Sequence, residues 1–168
     1  GDIGNTARKY AEAFFDRLGV DAVTISPYMG RDSIEPFVGR KGKWAIVLGV
    51  TSNAGAKDFQ FLNVNGDRPL FETVIRTVVS WTSPLDTMFV VGATHIDVLE
   101  QARAAAPDSF FLVPGVGAQG GDLDAVLDKC MTKDGGVLIN SSRGILYAGA
   151  GVDGIPAARK AALELQRT

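Results

Sequence analysis

The sequence predicts an α/β fold in which a parallel sheet is covered on both sides, as a portion of a (β/α)8 barrel. Three observations point there. Runs such as Trp44–Val50 (WAIVLGV) and residues 110–113 (FFLV) are apolar without alternation, the pattern of strands buried on both sides. Each such run is followed by a stretch with helical spacing, and the strand-then-helix unit recurs five times. With 168 residues, 46% hydrophobic and only 21% charged, the chain can bury one sizeable core but not two, so residues 1–168 are expected to form a single domain.

The elements follow in order. From Ala7 onward Tyr10, Ala11, Phe14 and Leu18 recur at helical spacing; Asn5 or Thr6 can cap the start and Gly19 can close the end. A short β-branched strand is expected over 21–25, a loop over 26–30 and a short helix over 32–38. The strand at 44–50 is followed by a long polar connection, 51–67, and a helix over 68–81 with Pro69 in its first turn. Strands at 88–92, 110–113 and 136–140 pair with helices at 96–106, 122–130 and 156–166. A (β/α)8 TIM barrel typically takes about 250 residues. Five units therefore fit as a C-terminal portion of such a barrel, with three more expected on the N-terminal side of Gly1. The opening Asp2-Ile3-Gly4-Asn5-Thr6 reads as the end of a strand running into a helix, as if the chain starts inside a fold.

Composition narrows the function classes. Seventeen Lys and Arg against 19 Asp and Glu give a net charge of −2 with no basic block, so a nucleic-acid partner is not expected. One cysteine and one histidine cannot supply a four-ligand zinc site, and the lone Cys130 cannot form an internal disulfide, which fits a reducing compartment. No apolar run approaches the roughly 20 residues that span a bilayer, and the start lacks a signal-peptide pattern. A soluble, cytoplasmic protein without a membrane partner is the expectation.

Several strand ends carry chemistry. Arg143 follows the last strand within Asn140-Ser141-Ser142-Arg143-Gly144, where barrels commonly bind phosphate, and a guanidinium fork suits a phosphate dianion; the alternative is a solvated surface arginine. Thr51-Ser52-Asn53, after the strongest strand, can hydrogen-bond a planar heterocycle or form an ordinary loop cluster. Gly115-Val-Gly117-Ala-Gln-Gly120 matches the dinucleotide fingerprint G-x-G-x-x-G, which by itself suggests NADP. That fingerprint normally opens a doubly wound domain, however, and only 48 residues follow Gly120. A plain Gly-rich turn is one alternative; the favoured reading is a loop whose amides and Gln119 close over an anionic ligand. His95 is read as a loop residue rather than a general base, and Cys130 as inert core. A lone Asp2 can simply cap a helix.

Asp2-Ile3-Gly4-Asn5-Thr6 also resembles the end of the D-x-K-x-x-D-I-x-N-T signature of orotidine 5′-phosphate decarboxylases. Four further segments agree in order: residues 21–37 (DAVTISPYMGRDSIEPF), 47–55 (VLGVTSNAG), 110–121 (FFLVPGVGAQGG) and 135–149 (GGVLINSSRGILYAG). The wording is similar to the longer bacterial subfamily. The resemblance implies decarboxylation of orotidine 5′-phosphate to uridine 5′-phosphate and carbon dioxide in pyrimidine biosynthesis, with no metal or organic cofactor. It implies a homodimer with shared sites, in which Asp2 completes a catalytic charge network reaching the neighbouring subunit's active site and Ile3 and Thr6 contact that neighbour's ligand. Ser52 would bond the pyrimidine edge, Pro114 line the loop over the base, Gln119 bridge base and phosphate, and Ser142 with Arg143 hold the 5′-phosphate. The catalytic lysine of the signature would stand three positions ahead of Asp2, upstream of Gly1, so residues 1–168 alone are expected to be inactive. An NADP-dependent oxidoreductase and a non-catalytic phosphate-sugar barrel are the competing readings.

Overall fold

The computed structural model describes residues 1–64, 66–92, 96–115 and 123–167. Five strands, β1 (Ala22–Ile25), β2 (Trp44–Val50), β5 (Thr87–Val91), β6 (Phe110–Pro114) and β7 (Val137–Asn140), form one sheet in the order β1-β2-β5-β6-β7. Every pairing is parallel, with Ile25 beside Val47, Val47 beside Phe89, Phe89 beside Phe111 and Phe111 beside Val137. Strands β2 and β5 are buried along most of both faces, as their unbroken apolar runs require, whereas β6 alternates buried Phe111 and Val113 with half-buried Phe110, Leu112 and Pro114 despite its unbroken apolar run. The outer two strands are not buried on both faces: Leu138 in β7 is 51% exposed, as befits the last strand in the sheet order.

Helices α2 (Leu70–Val79), α3 (Ile96–Ala105) and α4 (Leu123–Cys130) pack on this sheet, and α6 (Gly154–Arg167) closes the chain. The core joins Val47, Phe89 and Phe111 of the strands to Phe71, Ile75 and Leu99 of the helices, all at most 1% exposed. The middle helices are thus held by burial of one apolar stripe each, the usual source of helical stability in proteins.

Boundaries differ from expectation where backbone chemistry outweighs pattern. The first helix, α1 (Gly4–Ala11), starts three residues earlier than predicted: Ile3 is its N-cap, and Asn5 and Thr6 lie inside it. Its buried stripe is Ala7, Ala11 and Phe15, not Tyr10, Phe14 and Leu18, of which Tyr10 is 44% and Leu18 69% exposed. Alanines let the helix approach the turns at Arg31–Ser33 and Glu35–Phe37, where Phe15 meets Phe37 edge-on at 6.2 Å. Those two tight turns replace the helix predicted at 32–38. From Glu12 to Arg17 the helix widens to i→i+5 bonding, and it ends at Gly19 (φ +70°), with the Val20 N–H donating to Phe14 O at 3.1 Å.

The helix predicted at 68–81 begins instead at Leu70. Arg68–Pro69 (β4) is extended and pairs antiparallel with Asn63–Val64 (β3), and the free N–H groups of Leu70 and Phe71 donate to Leu62 O and Gln60 O at 2.8 and 2.9 Å. Main-chain carbonyls of the preceding loop therefore cap α2 in place of a side chain. A short helix absent from the sequence reading, α5 (Ser142–Leu146), follows β7 directly.

One side chain ties the amino-terminal ends of the strands. The Arg103 guanidinium lies 3.8 Å from the centroid of the Phe111 ring. Its Nη1 donates to Ala106 O (2.9 Å) and Ser109 O (2.7 Å), and its Nη2 to Cys130 O (2.6 Å) and Gly136 O (3.1 Å). Burial draws its pKa down, but a guanidinium stays charged in proteins. The same burial pushes the Cys130 thiol up, against the opposing pull of Arg103, so Cys130 is a neutral, inert core group. Arg103→Met should lower the unfolding free energy by about 2–4 kcal/mol, because buried carbonyls lose charged donors. Urea denaturation checks this; a change under about 0.5 kcal/mol, the usual range for a surface substitution, would contradict it.

Candidate active site

In a parallel sheet every strand ends on the same edge. The connections after Ile25, Val50, Val91, Pro114 and Asn140 therefore emerge together, and the polar residues singled out in the sequence lie on them.

The best formed part follows β2. Thr51, Ser52, Asn53 and Lys57, with Asp97 from the first turn of α3, line a cavity of about 570 Å³. The Thr51 N–H donates to Gln60 Oε1 at 2.8 Å, Gln60 Nε2 donates to Thr51 Oγ1 at 2.8 Å, and Thr51 Oγ1 donates to Asn53 Oδ1 at 2.5 Å. Ser52 is half-buried between them. It is held from the other side by Gly92, at the end of β5, whose N–H donates to Val50 O at 2.9 Å. A Cβ on Gly92 would stand 2.8 Å from the Ser52 nitrogen and 3.0 Å from Ser52 Cβ, so only glycine admits this approach.

Two strands along the sheet order from β2, about 10 Å at the usual strand spacing, Pro114 ends β6 beside Asn140 of β7. The Ser142 hydroxyl donates to Asn140 Oδ1 at 3.3 Å, and Arg143 follows in the first turn of α5 with its side chain exposed. No ion pair engages Arg143 among the described residues, which leaves its donors available to an anion. At the other flank Gly1 lies against Met29 of the loop after β1: a Cβ there would be 3.2 Å from Met29 Cε. Asp2 is thereby set at the same end of the sheet, its Oδ1 accepting the Ile3 N–H at 2.8 Å, while Ile3 (54% exposed) and Thr6 face outward.

The structure thus gathers Ser52 with its neighbours around one cavity, sets Pro114, Ser142 and Arg143 together at the β6–β7 end, and places Asp2, Ile3 and Thr6 as a third group. Gln119 and His95, with the rest of the glycine loop beyond Gly115, lie outside the described residues. Sequence reading missed Gln60, Gly92, Lys57 and Asp97. Gly92 had a signal, a glycine closing an otherwise apolar strand; Gln60 had only its place in an unusually long connection. Among the described residues no three or more His, Cys, Asp or Glu side chains gather as a metal site would require, and no helix is long and apolar enough to cross a membrane.

A parallel α/β sheet with its polar strand ends gathered on one edge is the architecture of part of a (β/α)8 barrel. Residues 1–160 match the orotidine 5′-phosphate decarboxylase / HUMPS family, and the chain belongs to that family. It is 48% identical over 167 residues to the orotidine 5′-phosphate decarboxylase of Flavobacterium johnsoniae, covering 99% of this chain and 61% of that protein. The protein of the same name from Christiangramia forsetii is 53% identical over 148 residues, covering 88% of this chain and 54% of that one. Among solved structures, the OMP decarboxylase of Leishmania donovani superposes with a TM-score of 0.84 at 41% identity, over 99% of this chain and 64% of that one. The chain therefore spans less than two thirds of the relatives it matches. Neither the NADP-dependent oxidoreductase nor the non-catalytic phosphate-sugar barrel finds support in these likenesses.

Gly92→Ala should force Ser52 and its strand end apart, destabilising the fold by about 1–3 kcal/mol through overpacking. Thermal unfolding with a crystal structure of the variant checks this; an unmoved Ser52 with wild-type stability would contradict the tight fit.

Proposed function

We propose that the whole protein decarboxylates orotidine 5′-phosphate to uridine 5′-phosphate and carbon dioxide, in the cytoplasm, as a homodimer and without metal or organic cofactor. The observation that carries this reading is the arrangement at the sheet's carboxyl edge: a cavity lined by Ser52 at one place and, near Pro114, the exposed guanidinium of Arg143, without an ion pair among the described residues, at another. A single elongated molecule with a planar ring at one end and a dianion at the other bridges the two.

In this reading Ser52 hydrogen-bonds the pyrimidine edge, Pro114 lines the base, Gln119 spans base and phosphate, and Ser142 with Arg143 holds the 5′-phosphate. Loss of carbon dioxide leaves negative charge at C6 of the ring, and the lysine that the family signature sets three positions ahead of Asp2 delivers the proton there. Asp2 belongs to the charge network around that lysine and serves the partner subunit's site; Ile3 and Thr6 touch the partner's ligand. Exposure of Ile3 (54%), Met29 (38%) and Tyr28 (85%) near this flank supports a second subunit covering it. Catalysis is electrostatic: fixed charges and dipoles meet the developing carbanion without reorganising, and phosphate binding supplies energy that is realised in the transition state.

Decarboxylation followed by the fall in ultraviolet absorbance tests the assignment. Arg143→Ala in the whole protein should cut kcat/KM by at least about a hundredfold, as expected for losing charge-assisted bonds to a dianion. Wild-type kinetics in that variant would remove Arg143 from the phosphate site, and an inert wild-type protein would remove the function.

A further inference from the structure

Gln60 belongs to no strand or helix of the site, yet its side chain holds Thr51 at two points. Its Oε1 accepts the Thr51 backbone N–H, and its Nε2 donates to Thr51 Oγ1. Because a backbone N–H can only donate, the carboxamide has one orientation, oxygen to the main chain and nitrogen to the hydroxyl. The Thr51 hydroxyl, already accepting, gives its own proton to Asn53 Oδ1. That choice turns Asn53 Nδ2 to the opposite side, over Gly55, where a Cβ would come 3.3 Å from it. Gln60 itself is anchored: its N–H donates to Ala56 O at 2.8 Å, and its carbonyl accepts the N–H of Phe71, a residue 1% exposed in α2. A one-way chain of hydrogen bonds thus runs from the packed helix through Gln60 and Thr51 to Asn53, enclosing Ser52. Thr51 also lines both the cavity at Ser52 and a second, apolar one of about 190 Å³ to which Gln60 contributes, so the Gln60–Thr51 clamp stands at their boundary.

We propose that Gln60 is a positioning residue for the ring end of the site, setting the hydrogen-bond polarity of Thr51 and Asn53 on either side of Ser52. This rests on the reading that the pyrimidine ring binds at Ser52. What Gln60 adds is selection: with the relay intact, the donors and acceptors around Ser52 are presented in one pattern and not its reverse, which favours a ring edge of matching polarity.

Gln60→Glu has nearly the same shape. Its carboxylate accepts the Thr51 N–H but has no proton for Oγ1, so the Thr51 hydroxyl turns toward it and releases Asn53. In the whole protein KM for orotidine 5′-phosphate should rise roughly tenfold with kcat within about twofold, the signature of lost ring binding common to ground and transition states. Thr51→Val keeps the N–H bond and removes the hydroxyl, so it breaks the same relay, and it serves equally should the glutamate variant fail to fold. The double variant should lose no more than the worse single one, since both act on one chain of bonds. A wild-type KM in the single variants, or fully additive losses in the double, overturns the proposal while leaving the function intact. A wild-type protein without turnover overturns the function and this proposal with it.

Discussion

The common direction of the five strands governs everything else in this molecule. A parallel ladder places every carboxyl-terminal strand end on one edge, so residues far apart in sequence, such as Ser52 and Arg143, meet the same region of solvent. It also obliges each connection to return across the sheet, which is why helices alternate with the strands and pack against them. Chemistry and packing are thereby separated: the interior of the sheet holds Val47, Phe89 and Phe111, and polar groups collect where the ladder stops.

The two edges are finished differently. At the amino-terminal edge Arg103 collects carbonyls from two connections, α3–β6 and α4–β7, and covers an aromatic ring, an arrangement with one geometry and no free donor to offer a ligand at its two Nη atoms. At the carboxyl edge the arginine is Arg143, exposed and without an ion pair among the described residues. One guanidinium holds the scaffold, and the other stands exposed where we propose the phosphate binds. The connection after β2 combines both roles, because its main chain caps α2 through Gln60 and Leu62 while its side chains line the cavity.

Much of this was legible in the sequence, for reasons that differ by element. Strands β2 and β5 announced themselves as unbroken apolar runs, since burial on both faces leaves little room for polar residues; β6 has the same kind of run although only alternate residues are fully buried. Arg143 and Ser52 were legible because position at a strand end, together with side-chain chemistry, suffices to nominate them. The start of α2 was not, since Arg68–Pro69 pair with Asn63–Val64 through main-chain bonds that periodicity cannot register. The face of α1 was misjudged because alanines, weak hydrophobic signals, are what permit its close approach, while the larger Tyr10 and Leu18 stay outside. Gln60 escaped notice because its role is written in the direction of hydrogen bonds, and a glutamine in a polar loop looks the same with or without that role.

The most direct measurement is a crystal structure of the whole protein with uridine 5′-phosphate bound. The account predicts the phosphate against Ser142 and Arg143, the ring edge at Ser52, and the segment carrying Asp2, Ile3 and Thr6 reaching the ligand of a partner subunit. A phosphate seated elsewhere, or a ring that leaves Ser52 untouched, would contradict it.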